Sequence, residues 1–213
     1  MVERQNSSSR KQLMIKAMSD EELMAQVRGG VGEMLGTLFE RHHVALFNFF
    51  YKLTGQRAMS EDLVQDVFFR ILKYRQSYRP GTGFRAWMYQ IARNARVDLL
   101  RRQHPEISWE PEMSPAFVPE DQPQQDQQAF LLRTALLELP EEKREVLVLS
   151  RFQDLKYEQI AEILGCELST VKVKVHRALH ELRDIFQKLE AGKLQRKAGP
   201  QGPGIRPGSG SVQ

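Results

Sequence analysis

Apolar residues recur every three or four positions along most of this chain, which is the spacing expected of helices that bury one face. Serines that can cap a helix and glycines that can end one divide the pattern into segments. The first segment opens with a capping box formed by Ser19 and Glu22, and Ser60 is expected to cap the third. The first half therefore predicts four helices, at 19–28, 33–53, 60–74 and 84–102.

The second half predicts a helix-turn-helix near its end. Gly165 follows the last apolar residue of the first helix, and Ala161 is small where two helices would cross closely. Ser169 or Thr170 can cap the second helix. Two helices precede this pair, so the whole sequence predicts an all-α protein. The predicted buried row of the last helix is Val171, Val175, Ala178, Leu179, Leu182 and Phe186, and the two preceding helices lie at 130–137 and 141–152.

The opposite face of the last helix is basic and includes one exposed valine. Such a face suits a recognition helix, because its donors can reach phosphates and base edges while the apolar row anchors the helix from behind. Val173 could touch a thymine methyl, and Arg177 could form a bidentate contact with guanine. The alternative is an ordinary amphipathic helix with a solvated basic face. The turn, the small residue and the basic face together favour DNA binding.

The third helix has an unusual polar face, because a phenylalanine lies among its carboxylates. Asp62, Gln65, Asp66 and Phe69 share this face. An exposed aromatic ring with charged neighbours is typical of a protein-binding patch. The alternatives are that a neighbouring helix covers the ring, or that the carboxylates form an acid–base pair. No nucleophile, metal set or glycine-rich phosphate loop accompanies them, which argues against catalysis.

The fourth helix places aromatic rings beside arginines, and it follows a loop at 76–83 that contains proline and glycine. Arg85, Tyr89, Arg93 and Arg96 cluster on one flank of this helix. Unpaired bases stack on aromatic rings, so the flank suits single-stranded DNA. A basic solvated flank beside core aromatic residues explains the same pattern equally well, and the residues alone leave both interpretations open.

The composition shows a mild excess of basic residues and few cysteine or histidine residues that could bind a metal. The chain has a formal net charge of +4, which is consistent with a nucleic-acid partner but is weak evidence alone. Cys166 is the single cysteine, so neither a disulfide framework nor a metal site is expected, and a reducing cytoplasm fits. His42 and His43 are adjacent and point to different faces, so they cannot form a metal pair. No apolar run is long enough for a membrane span or a signal core, and no cofactor is expected.

The chain is expected to form two small helical domains joined by a flexible acidic linker. The linker, 103–128, contains several prolines and glutamines and six carboxylates, but no lysine or arginine. Residues 1–18 and 191–213 are polar or rich in glycine and proline, and we expect them to be disordered tails. The predicted domains are therefore 19–102 and 129–190.

An aromatic-basic helix in one domain and a helix-turn-helix in the other resemble the extracytoplasmic-function group of bacterial RNA polymerase sigma factors, which keeps only regions 2 and 4. The resemblance covers about residues 19 to 189 and assigns the first domain to region 2 and the second to region 4. It lies in four ordered segments, at 60–68, 84–102, 139–147 and 157–161 with 170–172.

The resemblance implies a factor that binds core RNA polymerase and directs promoter-specific transcription initiation, without catalysis of its own. It implies contacts with the clamp helices of the largest polymerase subunit through Asp62, Gln65, Asp66 and Phe69. It implies capture of the −10 element, with one flipped base, by Tyr78, Arg79, Arg85, Tyr89, Arg93, Asn94 and Arg96. It implies recognition of the −35 element by Thr170, Lys172, Val173, His176 and Arg177.

The resemblance also implies further partners: the flap of the second-largest polymerase subunit and an anti-sigma factor that holds the protein until a signal arrives. The family usually has Gly, Ser, Arg and Arg where this chain has Ser169, Val173, Lys174 and Gln90. These positions touch the DNA face or its edge, so the promoter sequence is left open. The main alternative is a free-standing helix-turn-helix repressor or activator, which would leave the Phe69 face unexplained. An enzyme acting on nucleic acid is a third possibility and lacks a catalytic constellation.

Overall fold

The computed structural model describes residues 14–103, 127–153 and 155–197 of the chain. The regular elements in these ranges are all helical, and the all-α fold with two helical domains is confirmed. In chain order they are α1 (Asp20–Arg28), α2 (Glu33–Thr54), α3 (Arg57–Lys73), a 3-10 turn (Arg75–Ser77), α4 (Phe84–Gln103), α5 (Gln127–Glu138), α6 (Glu141–Phe152), α7 (Tyr157–Leu164) and α8 (Leu168–Lys197).

Much of the predicted linker and tails lies outside the described residues, and the domain boundaries remain predictions. Two stretches that were expected to belong to the tails are helical instead, namely a turn at 14–17 and the end of α8 at 191–197. Earlier in α8, Leu182 and Ile185 pack against the core, and the helix lies against α5, so tertiary packing supports this helix.

Local sequence signals explain where several helices begin and end. The Ser19 hydroxyl accepts a hydrogen bond from the Glu22 N–H at 3.2 Å, and the Glu22 carboxylate accepts one from the Ser19 N–H at 2.7 Å. The predicted capping box of α1 is therefore confirmed. Gly55 and Gly165 end α2 and α7 with φ angles of 70° and 64°, a left-handed conformation that glycine adopts without steric cost.

Two predicted caps are wrong, because both helices begin earlier than expected. α3 begins at Arg57, so Ser60 is part of the helix. The Ser60 hydroxyl is buried and donates to the backbone carbonyl four residues earlier at 2.6 Å, a bond that competes with capping. α8 begins at Leu168, so Ser169 and Thr170 lie in its first turn rather than before it.

The first bundle consists of α1 to α4. α3 packs against both α2 and α4, and α1 packs against α2. One face of α3 is buried against these neighbours, and its members are almost inaccessible to solvent. These residues are Leu63, Val64, Val67, Phe68 and Ile71.

The second bundle consists of α5 to α8, and it packs directly on the first. Within it, α8 contacts α5, α6 and α7. Between the bundles, α2 contacts α5 and α6, while α4 contacts α7, so the buried apolar residues of both bundles form one continuous cluster. This contact between bundles was not predicted from the sequence, and it determines which of the predicted site residues are accessible.

Candidate nucleic-acid and protein interfaces

The helix-turn-helix presents a basic face to solvent. Lys172, His176 and Arg177 are exposed, and Val173 keeps 47% of its surface accessible. Thr170 is half-buried at the start of the same face. The other side of α8 is buried at Val171, Val175 and Ala178, so the helix separates an apolar face from a basic one as its periodicity predicts.

The turn before α8 fixes where this basic face points. Gly165 lies in the left-handed region, and the N–H of Cys166 donates to the carbonyl of Ala161 at 3.0 Å. This bond closes the end of α7 and lets the chain reverse within a few residues. On α8, the Nε2 atoms of His176 and His180 lie 3.1 Å apart, which orients both rings along the exposed face.

A second exposed patch lies on α3. Phe69 keeps 64% of its surface accessible, so no described helix covers it, and that alternative interpretation is wrong. Asp62 and Gln65 are exposed beside it. Asp66 differs from them because its carboxylate is 2.9 Å from Nε of Arg70. The patch therefore combines the exposed Phe69 ring with two different carboxylates. Asp62 is exposed to solvent, whereas Asp66 already pairs with Arg70 within the fold.

An apolar groove next to this patch was missed in the sequence. It has a volume of about 310 Å³ and lies between α2 and α3. The exposed Val44, with 57% of its surface accessible, is the sequence signal that could have indicated it, because a large apolar residue there interrupts a polar face. The groove is lined by Phe39, His43, Val44, Phe47, Arg57, Glu61, Val64 and Gln65.

The predicted single-strand flank of α4 faces the second bundle rather than solvent. Tyr89 and Arg96 keep only 1% and 4% of their surface accessible, and Arg85 and Arg93 are half-buried. All four side chains contact α6 or the residue that follows it. The structure brings these four residues together as predicted, but it places them at an internal interface.

The loop before α4 is ordered by its own hydrogen bonds. The buried Tyr78 hydroxyl donates to the Thr82 carbonyl at 2.7 Å. Burial raises the pKa of this phenol, and the nearby charges of Glu21 and Asp20 raise it further. Arg79 is exposed on the same loop. Tyr78 is thus a core residue that shapes the loop, whereas Arg79 is accessible to a ligand.

A cavity of about 470 Å³ opens between this loop, α4 and α7. Trp87 and Gln90 of α4 form part of its wall, together with Arg79 from the loop. Asn94 lies one turn further along α4 and is exposed. An indole, a guanidinium and an amide around one opening can stack on and hydrogen-bond a base.

Two residues outside every predicted site connect the bundles. Gln153 is buried and accepts hydrogen bonds from Tyr89 and Arg85. Arg144 donates to the Leu53 carbonyl of α2 at 2.6 Å. Burial and the nearby charge of Arg96 lower the pKa of Arg144 to about 10. No periodicity signals either residue, because each acts through a partner that is distant in the sequence.

The part of the chain that the structure describes gives little support for a metal site with three or more protein ligands or for a membrane-spanning helix. No group of three or more His, Cys, Asp and Glu side chains there could hold a metal ion. His42 pairs with Asp20 at 2.7 Å and is buried, so its ring is engaged within the fold. None of the described helices combines the length and the apolar character needed to cross a membrane.

Comparison with known proteins agrees with this geometry. Residues 38–106 match Sigma-70 region 2, and residues 129–182 match Sigma-70, region 4. The chain is 34% identical over 159 residues to RNA polymerase sigma factor YlaC of Bacillus subtilis, covering 71% of this chain and 91% of the relative. It is 32% identical over 170 residues to RNA polymerase sigma factor CarQ of Myxococcus xanthus, covering 78% and 97%. The sigma factor RpoE of Bartonella quintana, solved with the anti-sigma factor NepR, superimposes with a TM-score of 0.59 at 26% identity, covering 71% of this chain and 96% of that one.

Proposed function

The chain belongs to the sigma-70 family, in its extracytoplasmic-function group. From this premise we propose which surface of the protein contacts the polymerase and which surfaces contact promoter DNA. As a sigma factor it binds core RNA polymerase and directs promoter-specific initiation. The proposal rests on one observation: the basic face of α8 and the Phe69 patch of α3 are both exposed, on different bundles of one chain. One surface is then available to the polymerase while the other reads duplex DNA.

The basic face of α8 is proposed to recognise the −35 element in the major groove. Lys172 and Arg177 are exposed on this face. Lys172 is proposed to contact phosphates, which supply affinity, and Arg177 to contact a base edge, which supplies specificity. Val173 offers an apolar contact for a thymine methyl. His176 and Thr170 complete the proposed set at the edges of this face. The buried row behind them keeps the helix fixed to its bundle.

The patch on α3 is proposed to bind the clamp helices of the largest polymerase subunit. Asp62 and Gln65 supply charged and polar contacts around the Phe69 ring, which supplies buried area at the centre. Asp66 is proposed to contact the polymerase through its negative charge, and its ion pair with Arg70 holds the carboxylate in place on α3. The groove next to Val44 extends the apolar surface and suits a partner helix laid against α2 and α3.

The loop at 77–83 and the exposed end of α4 are proposed to capture the −10 element as a single strand. Opening the duplex costs a few kcal/mol for each unstacked base, and stacking returns about 1–3 kcal/mol for each captured base. Trp87 and Arg79 line the cavity that suits a flipped base, and Asn94 is exposed one turn beyond the cavity wall on α4. Arg85, Tyr89, Arg93 and Arg96 join this site once the second bundle moves away. Melting by base capture requires no nucleotide hydrolysis, consistent with a factor that is not itself an enzyme.

An anti-sigma factor is the proposed regulator, since the similar Bartonella sigma factor was solved with the anti-sigma factor NepR. The flap of the second-largest polymerase subunit is the proposed partner of the second bundle, and the cytoplasm is the proposed place of action. A free-standing repressor or activator is the alternative, and it would need a duplex operator but no polymerase contact.

Run-off transcription with core polymerase on fragments of the protein's own genome tests the proposal. We expect discrete transcripts that begin at defined positions only when the protein is present. A protein that binds a duplex operator as a dimer, yet neither co-purifies with core polymerase nor stimulates any transcript, would favour the alternative instead.

A further inference from the structure

His176 and His180 lie one helical turn apart on the exposed face of α8, and their rings face each other. Their Nε2 atoms are 3.1 Å apart, and their ring centroids are 4.4 Å apart. Histidines at positions i and i+4 share one face of a helix, which is the spacing that His42 and His43 lack. We propose that this pair binds one divalent transition-metal ion that prefers imidazole ligands, such as Zn²⁺, and that the bound ion strengthens the contact of α8 with duplex DNA.

The distance between the two nitrogen atoms fits two ligands of one ion. Imidazole nitrogens lie about 2.0–2.1 Å from Zn²⁺, so nitrogens 3.1 Å apart would subtend an angle of about 100° at a shared ion. That angle lies between the values for octahedral and tetrahedral coordination. A hydrogen bond between the rings is the alternative explanation of the short distance, and it requires one Nε2 to carry a proton and the other to be bare. A metal ion would replace that single proton without a change in the backbone of α8.

Both rings are accessible to a ligand, in contrast to the other histidines that the structure describes. His42 is buried and paired with a carboxylate, and Nδ1 of His43 lies 2.9 Å from a backbone carbonyl. The hydrogen bonds and ring contacts within the described ranges join His176 and His180 only to each other. Both of these rings are exposed, so an ion can reach them without opening the fold.

The site is open on the side that faces solvent. No third His, Cys, Asp or Glu side chain joins the pair in the described part of the chain. Glu181, the nearest carboxylate in sequence, is already paired with Lys143 of α6. Two histidines leave the remaining coordination positions to water or to an anion, as in metal sites that keep an open position. The pair therefore suits an ion that takes some of its ligands from a partner, and not a closed structural zinc site.

The open positions lie on the face of α8 that is proposed to contact DNA, so the effect on DNA binding rests on that proposed function, whereas the metal site itself does not. Lys172 lies one turn before His176, and Arg177 follows it directly; both are exposed cations. They repel a bound dication, which lowers its affinity for the free protein. A DNA phosphate offsets this repulsion, because its oxygen can bind the ion while its charge attracts the neighbouring cations.

Metal and duplex DNA are therefore expected to bind cooperatively. Linkage requires each of them to raise the affinity of the protein for the other by the same factor. Phosphates are the same at every base pair, so the ion should strengthen binding to any duplex and should not sharpen sequence readout. While an ion occupies Nε2 of His176, that atom cannot contact a base edge, and His176 then acts through the ion.

Calorimetric titration of the tag-free full-length protein with Zn²⁺ alone tests the metal site. We expect one Zn²⁺ per chain. His180→Ala should weaken binding at least tenfold, because losing even a hydrogen bond to a metal ligand commonly costs about 10–100-fold in affinity. Cys166→Ser should bind Zn²⁺ as wild type does, which excludes the single thiol of the chain as the ligand. Mg²⁺, which prefers oxygen ligands, should not bind at this pair.

A spacing variant separates a paired site from two independent histidines. His180→Ala/Arg183→His keeps two histidines on α8 but places them about 10 Å apart along the helix, too far to share one ion. It should bind Zn²⁺ as weakly as His180→Ala does. Both substituted positions are exposed, and far-UV circular dichroism close to wild type establishes that each variant folds. Equal Zn²⁺ binding by wild type and His180→Ala, or by wild type and the spacing variant, would overturn the metal site.

Fluorescence anisotropy of a mixed-sequence 20-base-pair duplex tests the effect on DNA binding. We expect saturating Zn²⁺ to raise the duplex affinity of the wild-type protein about fivefold or more, and to leave that of His180→Ala unchanged. Calorimetry with saturating duplex should show the same factor in the affinity for Zn²⁺. A duplex affinity that Zn²⁺ does not change in the wild-type protein would overturn the coupling. Failure of the proposed function looks different, since promoter-dependent transcription would be absent while Zn²⁺ binding still depended on His180.

Discussion

Arg70 of α3 and Asp98 of α4 form an ion pair with 2.6 Å between Nη1 and Oδ2. The Nε of the same guanidinium donates to Asp66 at 2.9 Å. Partial burial opposes the charge of Arg70, but the hydrogen bonds to Asp98 and Asp66 outweigh it and raise the pKa of the guanidinium. One side chain therefore joins the helix of the proposed polymerase patch to the helix of the proposed −10 flank.

Replacing Arg70 with methionine should lower the free energy of unfolding by about 1–2 kcal/mol, since two carboxylates lose a charge-assisted partner and solvent screens part of that loss. Urea-induced unfolding measures it. Arg57→Met is the control, because Arg57 and Glu61 form a pair of the same i,i+4 type with side chains 68% and 50% exposed. That variant should lose less than about 0.5 kcal/mol. Equal losses in both variants would show that Arg70 does not join the two helices.

Charge reversal at Asp62 should abolish retention on core polymerase without destabilising the protein. Asp62 is exposed on the Phe69 patch, and none of the described hydrogen bonds or ion pairs involves it. The equivalent change at Asp66 is a poorer test, since it would also place a cation beside Arg70. A pull-down with tagged core enzyme measures retention, and Glu190→Arg, at an exposed position of α8, is the control. Wild-type retention of Asp62→Arg would exclude this patch as the polymerase contact.

The local features of the fold were largely predictable from the sequence, because they depend on neighbouring residues. The capping box at Ser19, the left-handed glycine at 165 and the buried face of α3 all follow from short-range patterns. Ser60 was mistaken for a cap because a serine hydroxyl also bonds to a carbonyl four residues earlier, and only the structure distinguishes the two roles.

The accessibility of the proposed −10 flank was not predictable in the same way. Helical periodicity shows that Tyr89 and Arg96 share a flank, but it does not show what lies opposite that flank. The partners, Gln153 and Glu141, are 64 and 45 positions away in the sequence. By contrast, the exposed face of α8 could be predicted well, because the apolar row of this helix packs against α5, α6 and α7 of its own bundle and leaves the opposite face to solvent.

Arg177→Ala should reduce discrimination between the native and a scrambled −35 element by about 1–3 kcal/mol, the value expected for one bidentate contact with guanine. Transcription from the two templates with the holoenzyme measures the difference. Arg183→Ala is the control: Arg183 is exposed on the same helix but lies beyond the region 4 match, which ends at 182. It should weaken binding to both templates alike, as expected of a phosphate contact. Unchanged discrimination in Arg177→Ala would place base readout elsewhere on α8.

Alanine at two glycines should change stability in opposite directions. Gly165 has a φ of 64°, and a Cβ there would meet no atom within 4 Å, so the cost is backbone strain alone. We expect Gly165→Ala to lower the free energy of unfolding by about 1–2 kcal/mol. Gly36 lies within α2, with equally open space and no positive φ. There alanine should stabilise the protein by about 0.5–1 kcal/mol, because glycine is a poor helix former.

Urea-induced unfolding of both variants measures these changes, and the two positions serve as controls for each other because the chemical change is identical. The Gly165 variant should also lose transcription from a −35-dependent promoter more than its stability predicts, since the turn sets the angle between α7 and α8. Gly36→Ala, remote from the helix-turn-helix, should transcribe as wild type does. A neutral or stabilising effect of Gly165→Ala would mean that the turn does not require a left-handed residue, and the predicted geometry of the recognition helix would then lack its main support.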